Sequence, residues 1–239
     1  MNKTTLTKFI EKYNLAGSIE SVIWQCKSNA VKTNFSHEDK TLIGSVLCKK
    51  MDIPDSQLGI YTTSELSKII NIMKDDITFK LDIRNDKPVT LNLTDTVFDS
   101  KYHLSETDVI PKAGKMTTVP DFELSITMDD NFVEQFLSSK SALPDATIFA
   151  IESYDSDINC IMNYSNINTN NIKFKAKGTS TINFKPTLFS ADKIKSILVA
   201  NKNSTKKQLK ISSKGLAEFS FHEGEFESVY YLVQVQLIN

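Results

Sequence analysis

Arginine is nearly missing from this chain: of its 28 basic residues, all but Arg84 are lysines. Bidentate reading of guanine edges is chiefly an arginine task, so base-specific DNA recognition is disfavoured while sequence-blind contact with phosphates stays open. Glycine is scarce too, at seven of 239 residues, with no Gly-x-Gly and no Gly-x-x-x-x-Gly-Lys-Ser/Thr stretch. That leaves no phosphate-cradling loop and argues against a nucleotide site. The three histidines, His37, His103 and His222, are too scattered for a metal cluster, and His222-Glu223 lacks the second histidine of a zinc hydrolase motif. Cys26, Cys48 and Cys160 are odd in number, far apart and without zinc spacing, which fits a reducing compartment better than a disulfide framework. No apolar run approaches bilayer-spanning length, so the sequence predicts a soluble cytoplasmic protein with no membrane partner. Neither sign of charge dominates: 28 basic against 29 acidic residues give a net −1, and any basic surface must be local. Carboxylate pairs such as Asp75-Asp76 and Asp129-Asp130 fall at expected helix ends, where turn and dipole effects account for them. No nucleophile, base and orienting group can be assembled, so no enzyme, catalytic residue, cofactor or metal is expected.

What the chain does have is a repeat. Phe98-Asp99-Ser100-Lys101-Tyr102-His103-Leu104 returns 128 residues later as Phe226-Glu227-Ser228-Val229-Tyr230-Tyr231-Leu232, identical at four of seven positions. A period that long suggests two copies of one domain, provided the flanking elements repeat in the same order.

They do. Leu6, Phe9, Ile10 and Tyr13 form the i, i+3, i+4, i+7 stripe of a core-facing helix that Asn14 to Gly17 ends. Short strand-like runs follow at Val22 to Cys26 and Thr41 to Leu47. A second helix, with Ser64 as candidate N-cap, carries the stripe Leu66, Ile69, Ile70 and Met73, and alternating segments follow at 77–83, 89–93 and 101–104. Residues 109–120, with prolines near both ends and a glycine inside, read as a linker. The order then restarts: a strand at 122–127, a helix striped by Phe132, Val133, Phe136 and Leu137, and strands at 147–151, 159–162, 172–176 and 181–184. A helix with Ser190 as candidate N-cap and Ile194, Ile197 and Leu198 inward follows, then strands at 208–211, 216–221 and 229–237. The expected fold class is α+β: a first domain at 1–108, a linker at 109–120 and a second domain at 121–239, each with two helices packed on antiparallel sheets.

Two domains of this layout, joined by an extended Pro/Gly linker and closing on Tyr230-Tyr231-Leu232, resemble the DNA sliding clamps, specifically the two-domain clamps of archaea, eukaryotes and T-even-like phages. Three places carry the resemblance: Leu58 to Ile70 resembles the strand-turn-helix entering the second helix, Asn171 to Lys175 an interface strand, and Ser228 to Leu232 the closing strand. None is a catalytic signature. The resemblance implies two tandem processivity-fold domains in a toroidal ring. It implies a polymerase processivity factor that is a homotrimer, encircles double-stranded DNA without sequence preference, is loaded by a clamp-loader ATPase and tethers the replicative DNA polymerase. The compact chain, distant from cellular clamps, points to the phage branch and hence to a host-cell cytoplasm. A different class, a duplicated β-rich structural virion protein, is the alternative, and an enzyme with an unrecognised site is a third.

For a clamp, lysines on inner helices would face DNA. The candidates are Lys8, Lys12, Lys68, Lys74, Lys140, Lys193, Lys195 and Lys202, each placed on an expected helix and off its apolar stripe. A merely solvated helix face is the competing reading. The resemblance also implies a client-peptide pocket beneath the linker, pointing to Leu47, Ile110, Met116, Val119, Tyr231 and Val233; core packing competes for Leu47 and Val233. Subunits would join by edge strands, with Tyr102 and Leu104 of one meeting Ile172 and Phe174 of the next. The alternation of Ile172, Phe174 and Ala176 with Lys173, Lys175 and Lys177 suits such an edge or an interior antiparallel strand.

Overall fold

The first helix forms where its stripe predicts. In the computed structural model, which describes residues 2–74, 76–114, 116, 118–155 and 157–236, α1 spans Lys3–Asn14. Asn2 caps it by accepting the Thr5 N–H, and Leu6, Phe9, Ile10 and Tyr13 are buried. The chain leaves α1 through Leu15 and Ala16, both at positive φ, and the Leu15 N–H still donates to the Glu11 carbonyl.

The chain divides into two compact units, one of Met1–Glu38, Ile43–Gly114 and Gly224–Ser228, the other of Asp39–Leu42, Lys115–Glu223 and Val229–Asn239. In the first, α1 is followed by β1 (Val22–Lys27), β2 (Ala30–Ser36), β3 (Leu42–Cys48) and β4 (Ser56–Ile60), paired in the order β3-β2-β1-β4. Then come α2 (Thr63–Ile72) and an antiparallel meander of β5 (Thr78–Arg84), β6 (Lys87–Thr94) and β7 (Asp99–His103). A short 3-10 turn at Thr107–Val109 follows. Helices α1 and α2 lie side by side. Beneath them Phe9, Tyr13 and Trp24 meet edge to face at centroid distances of 5.4–6.4 Å, and the Trp24 indole N–H donates to the Tyr13 hydroxyl at 3.3 Å. Ser64 is not the cap of α2: it lies in the first turn, after Thr62, and its N–H is satisfied by the Glu20 carboxylate at 2.9 Å. Capping by a carboxylate 44 positions away cannot be read from local spacing.

The second unit runs β8 (Leu124–Thr127), α3 (Asp130–Ala142), β9 (Ile148–Tyr154), β10 (Asp157–Met162), β11 (Ile172–Ala176), β12 (Gly178–Ser180), β13 (Phe184–Ser190), α4 (Ala191–Ala200), β14 (Lys206–Ser212), β15 (Leu216–Glu223) and β16 (Phe226–Val233), of which Phe226 to Ser228 are counted with the first unit. Its strands are ordered β12-β8-β14-β15-β16 in one sheet and β11-β10-β9-β13 in the other. Phe136 packs on Phe149 and Phe132 on Phe174, edge to face, and α3 lies beside α4. Ser190 caps α4 as expected, accepting the Lys193 N–H at 3.4 Å. The strand expected at 181–184 is a correction: those residues leave β12 and only enter β13 at Phe184. Pro186, which punctuates the sequence like a strand end, instead sits where the β9 pairing shifts register on an edge strand. The final strand begins at Phe226 rather than Val229 and ends at Val233; Leu237, to which it was expected to run, lies outside the described residues.

The repeated heptapeptides form the closing strands β7 and β16. Helices α2 and α4 lie 128 positions apart at both ends, and so do the hairpin partners Leu81↔Leu91 and Leu209↔Phe219. The same offset governs both second halves.

Candidate nucleic-acid interface and assembly edges

A lysine can meet phosphates only if its ammonium is not already used within the fold, and three of the eight candidates, Lys140, Lys12 and Lys193, fail that condition. Lys140 is 4% exposed; its Nζ donates to the carbonyls of Pro144 and Ala146, both at 2.7 Å, and pairs with Asp192 at 2.9 Å. It secures the chain leaving α3 and does not face DNA. Lys12 is 1% exposed and lies over the Phe226 ring, 5.6 Å from its centroid. It sits beside the apolar stripe rather than opposite it, so a neighbour distant in sequence covers it.

Lys193, third in α4, is largely buried and held by the Asp39 carboxylate and the Thr41 hydroxyl. Burial alone would raise Asp39; the Lys193 ammonium and the Thr41 N–H and hydroxyl hold it well below the usual carboxylate range. Lys8 is half-buried on α1. Lys68 on α2 and Lys195 on α4 are exposed. Lys74 and Lys202 are exposed as well, but each lies just past the end of its helix rather than on it. These two are 128 positions apart and occupy the same place in the two units. The Lys74 N–H donates to the Asp95 carboxylate, which also accepts from Val97 and Phe98; those backbone donors hold Asp95 low and order the turn.

Further basic groups that sequence reasoning passed over are structural. Lys3 ties the start of α1 to the end of α2, donating to the carbonyls of Asn71 at 2.8 Å and Met73 at 2.6 Å. Lys207 pairs with Asp130 at 2.6 Å, and Lys177 with Asp129 at 3.0 Å. Both carboxylates line a groove of about 860 Å³ at the start of α3, with Lys202 to Gln208 on its other side. Among the described residues no three His, Cys, Asp or Glu side chains form a set that could hold a metal.

Two strands end sheets at positions where the expected interface lies. β7 pairs only with β6, and β11 only with β10, among the described residues. Of the two readings left open for β11, the edge is therefore correct. Its Lys173 and Lys175 pair with Glu152 at 2.7 Å and Asp157 at 2.8 Å on the sheet's outer face, while Ile172 and Phe174 are half-buried. Tyr102 cannot present its side chain at an edge: it is 5% exposed and exchanges hydrogen bonds at 3.2 Å with the Thr62 N–H and carbonyl. Only its backbone is at the strand edge. Leu104, just past β7, is half-buried.

The six client-pocket candidates are distributed over both units. Leu47 is half-buried on β3, and Ile110 is buried after the 3-10 turn. Met116 is half-buried, Val119 and Val233 are exposed, and Tyr231 on β16 is half-buried. Burial and the neighbouring Glu218 carboxylate push the Tyr231 hydroxyl up to about 12.

No protein-family model matches the sequence, and no curated protein matches it. Among solved structures, the crystal structure of Proliferating Cellular Nuclear Antigen from Entamoeba histolytica matches with a TM-score of 0.75 over 99% of this chain and 97% of that one, at 14% identity. Nothing in that likeness favours a virion scaffold. At so low an identity the shared property is the path of the backbone, and along its whole length this chain has the DNA sliding-clamp fold.

Proposed function

We propose that this protein is one subunit of a closed homotrimeric ring that encircles duplex DNA and confers processivity on a replicative polymerase, without chemistry of its own. The observation that carries the reading is the end-to-end likeness to a proliferating cell nuclear antigen. Two further observations support it. The edges of β7 and β11 each offer a row of unused backbone groups, and pairing them between subunits would remove a hazard that isolated edges create. Lys68, Lys74, Lys195 and Lys202 are exposed on or just past the second helix of each unit, and a ring that lines its hole with those helices would meet phosphates with compact, sequence-blind charges. A clamp-loading ATPase would open and close the ring. The client peptide would rest on Met116, Val119 and Tyr231, with a flexible methionine suited to varied ligands.

The test pairs solution mass with topology. Light scattering at micromolar concentration should give three times the chain mass, and protein loaded on nicked circular DNA should survive gel filtration but be lost once the circle is linearised. A stable monomer that elutes alike from circles and linear fragments overturns the reading.

A further inference from the structure

The second unit has two strands with no counterpart in the first among the described residues, β8 and the short β12 that pairs with it. In the second unit, β14 is flanked on its outer edge by β8, with the pairs Leu124↔Ile211, Ser125↔Lys210, Ile126↔Leu209 and Thr127↔Gln208. Leu124, Ile126, Leu209 and Ile211 are all at most 1% exposed there. In the first unit the counterpart of β14 is β5, which has the same offset of 128 and the same hairpin register at Leu81↔Leu91. No strand lies on its outer edge among the described residues; only the isolated bridge Asn2↔Asp76 touches the segment leading into it. The consequence is visible in the side chains. Leu81 is half-buried where Leu209 is buried, and Ile83 is 62% exposed where Ile211 is fully covered.

We propose that the outer edge of β5 is a docking site for an extended segment of a partner protein, which adds as a fourth strand in the position β8 fills in the second unit. This does not depend on the ring reading. The occupant's chemistry follows from transposing the β8 register by 128 positions. Its four residues would lie opposite Ile83, Asp82, Leu81 and Lys80 in turn. The first and third are branched aliphatics, which would cover Ile83 and Leu81 as Leu124 and Ile126 cover Ile211 and Leu209. The second is basic, opposite Asp82, and the fourth acidic, opposite Lys80. The matching motif is aliphatic-basic-aliphatic-acidic, running antiparallel to β5. The register shift at Asp82/Ile83 between β5 and β6, together with the charges on β5, guards this edge against indiscriminate pairing and limits the added strand to a short one.

The test has a tethered and a free arm. β8 leads into α3 through Met128 and the N-cap Asp129, as Met1 leads into α1 through the N-cap Asn2. Because Asn2 bridges Asp76, the register is kept by placing Leu-Lys-Ile-Glu before Met1 with a two-residue Ser-Gly spacer between Glu and Met1, which presents the motif in cis opposite Ile83, Asp82, Leu81 and Lys80. Amide exchange at Thr78–Arg84 should slow at least about tenfold, with a raised Tm. The charge-reversed extension Leu-Glu-Ile-Lys should protect less and Ser-Lys-Ser-Glu not at all. Unchanged exchange on β5 with all three extensions overturns the proposal. In the free arm, the peptide acetyl-Glu-Leu-Lys-Ile-Glu-Thr-amide at millimolar concentration should shift β5 resonances saturably, and Ile83→Lys, at an exposed position, should abolish the shifts without lowering Tm. Absence of saturable shifts overturns the partner assignment even if the tethered strand docks. Should Ile83→Lys lower the mass seen by light scattering, a second copy of this chain is the occupant, and the assignment to another protein fails.

Discussion

At the scale of single residues, the lysines divide by what their ammonium groups already hold. Lys140→Met keeps the aliphatic stem but removes the donor from the Pro144 and Ala146 carbonyls, so it should cost about 2–3 kcal/mol, read as a lower urea midpoint with unchanged slope. Lys202→Met, at an exposed position, should leave the midpoint within about 0.5 kcal/mol of the parent. If both variants behave alike, the burial of Lys140 has been misassigned. Asp39 gives a pH-dependent counterpart. Its folded pKa is depressed, so the stabilisation it brings is present above the ordinary carboxylate pKa of about 4 and fades as the unfolded chain takes up a proton below that value. Because the Asp39 side chain is 47% exposed, the pair with Lys193 contributes no more than about 1 kcal/mol. The difference in urea midpoint between the parent and Asp39→Asn should thus be small at pH 7 and shrink toward pH 3; a difference that grows on acidification contradicts the assignment. The thiols provide a third check. Burial raises Cys48 and Cys160 and pushes Cys26 up to about 11, so none should react appreciably with a thiol reagent at pH 8 until the chain is unfolded.

At the scale of elements, legibility in the sequence followed periodicity and stopped where distant partners decide. All four helices were readable because each carries an apolar stripe over two or more turns. β2 escaped because Ala30–Ser36 looks polar, although Val31, Thr33 and Phe35 alternate inward. The candidate interface was legible only in outline: Lys74 and Lys202 were assigned to helices that end two residues earlier, and the burial of Lys12 depends on Phe226, more than two hundred positions away. Gly59 is another position whose demand comes from afar. It bridges Ser105, and a Cβ there would lie 2.2 Å from the Ser105 carbonyl oxygen. Gly59→Ala must push β4 off the segment that follows β7, costing about 1–3 kcal/mol. Native-state exchange should show the loss concentrated at the Ser105 N–H, which donates to the Gly59 carbonyl; uniform loss would point to a global effect instead.

At the scale of the whole molecule, a ring implies two kinds of grip on DNA that respond differently to salt. Lysine–phosphate contacts weaken as salt rises, because each contact releases condensed counterions, with a slope of about 0.9 per phosphate on duplex DNA. A closed ring on closed DNA is held by linkage, which salt does not screen. Replacing Lys68, Lys74, Lys195 and Lys202 together by alanine should therefore flatten the salt dependence of binding to linear duplex, equally for every sequence, yet leave retention on circles intact once the ring is loaded. Proline substitutions in β11 test the linkage itself. Lys175 and Ala176 are adjacent on an edge strand, so one N–H points into the β10 ladder and the other outward. The proline that removes the inward donor should destabilise the second unit. The one that removes the outward donor should leave Tm near the parent value while the particle mass falls and retention on circular DNA is lost. If both variants keep the parent mass and stay on circles, the ring does not close through β11, and its closure must be sought at another edge.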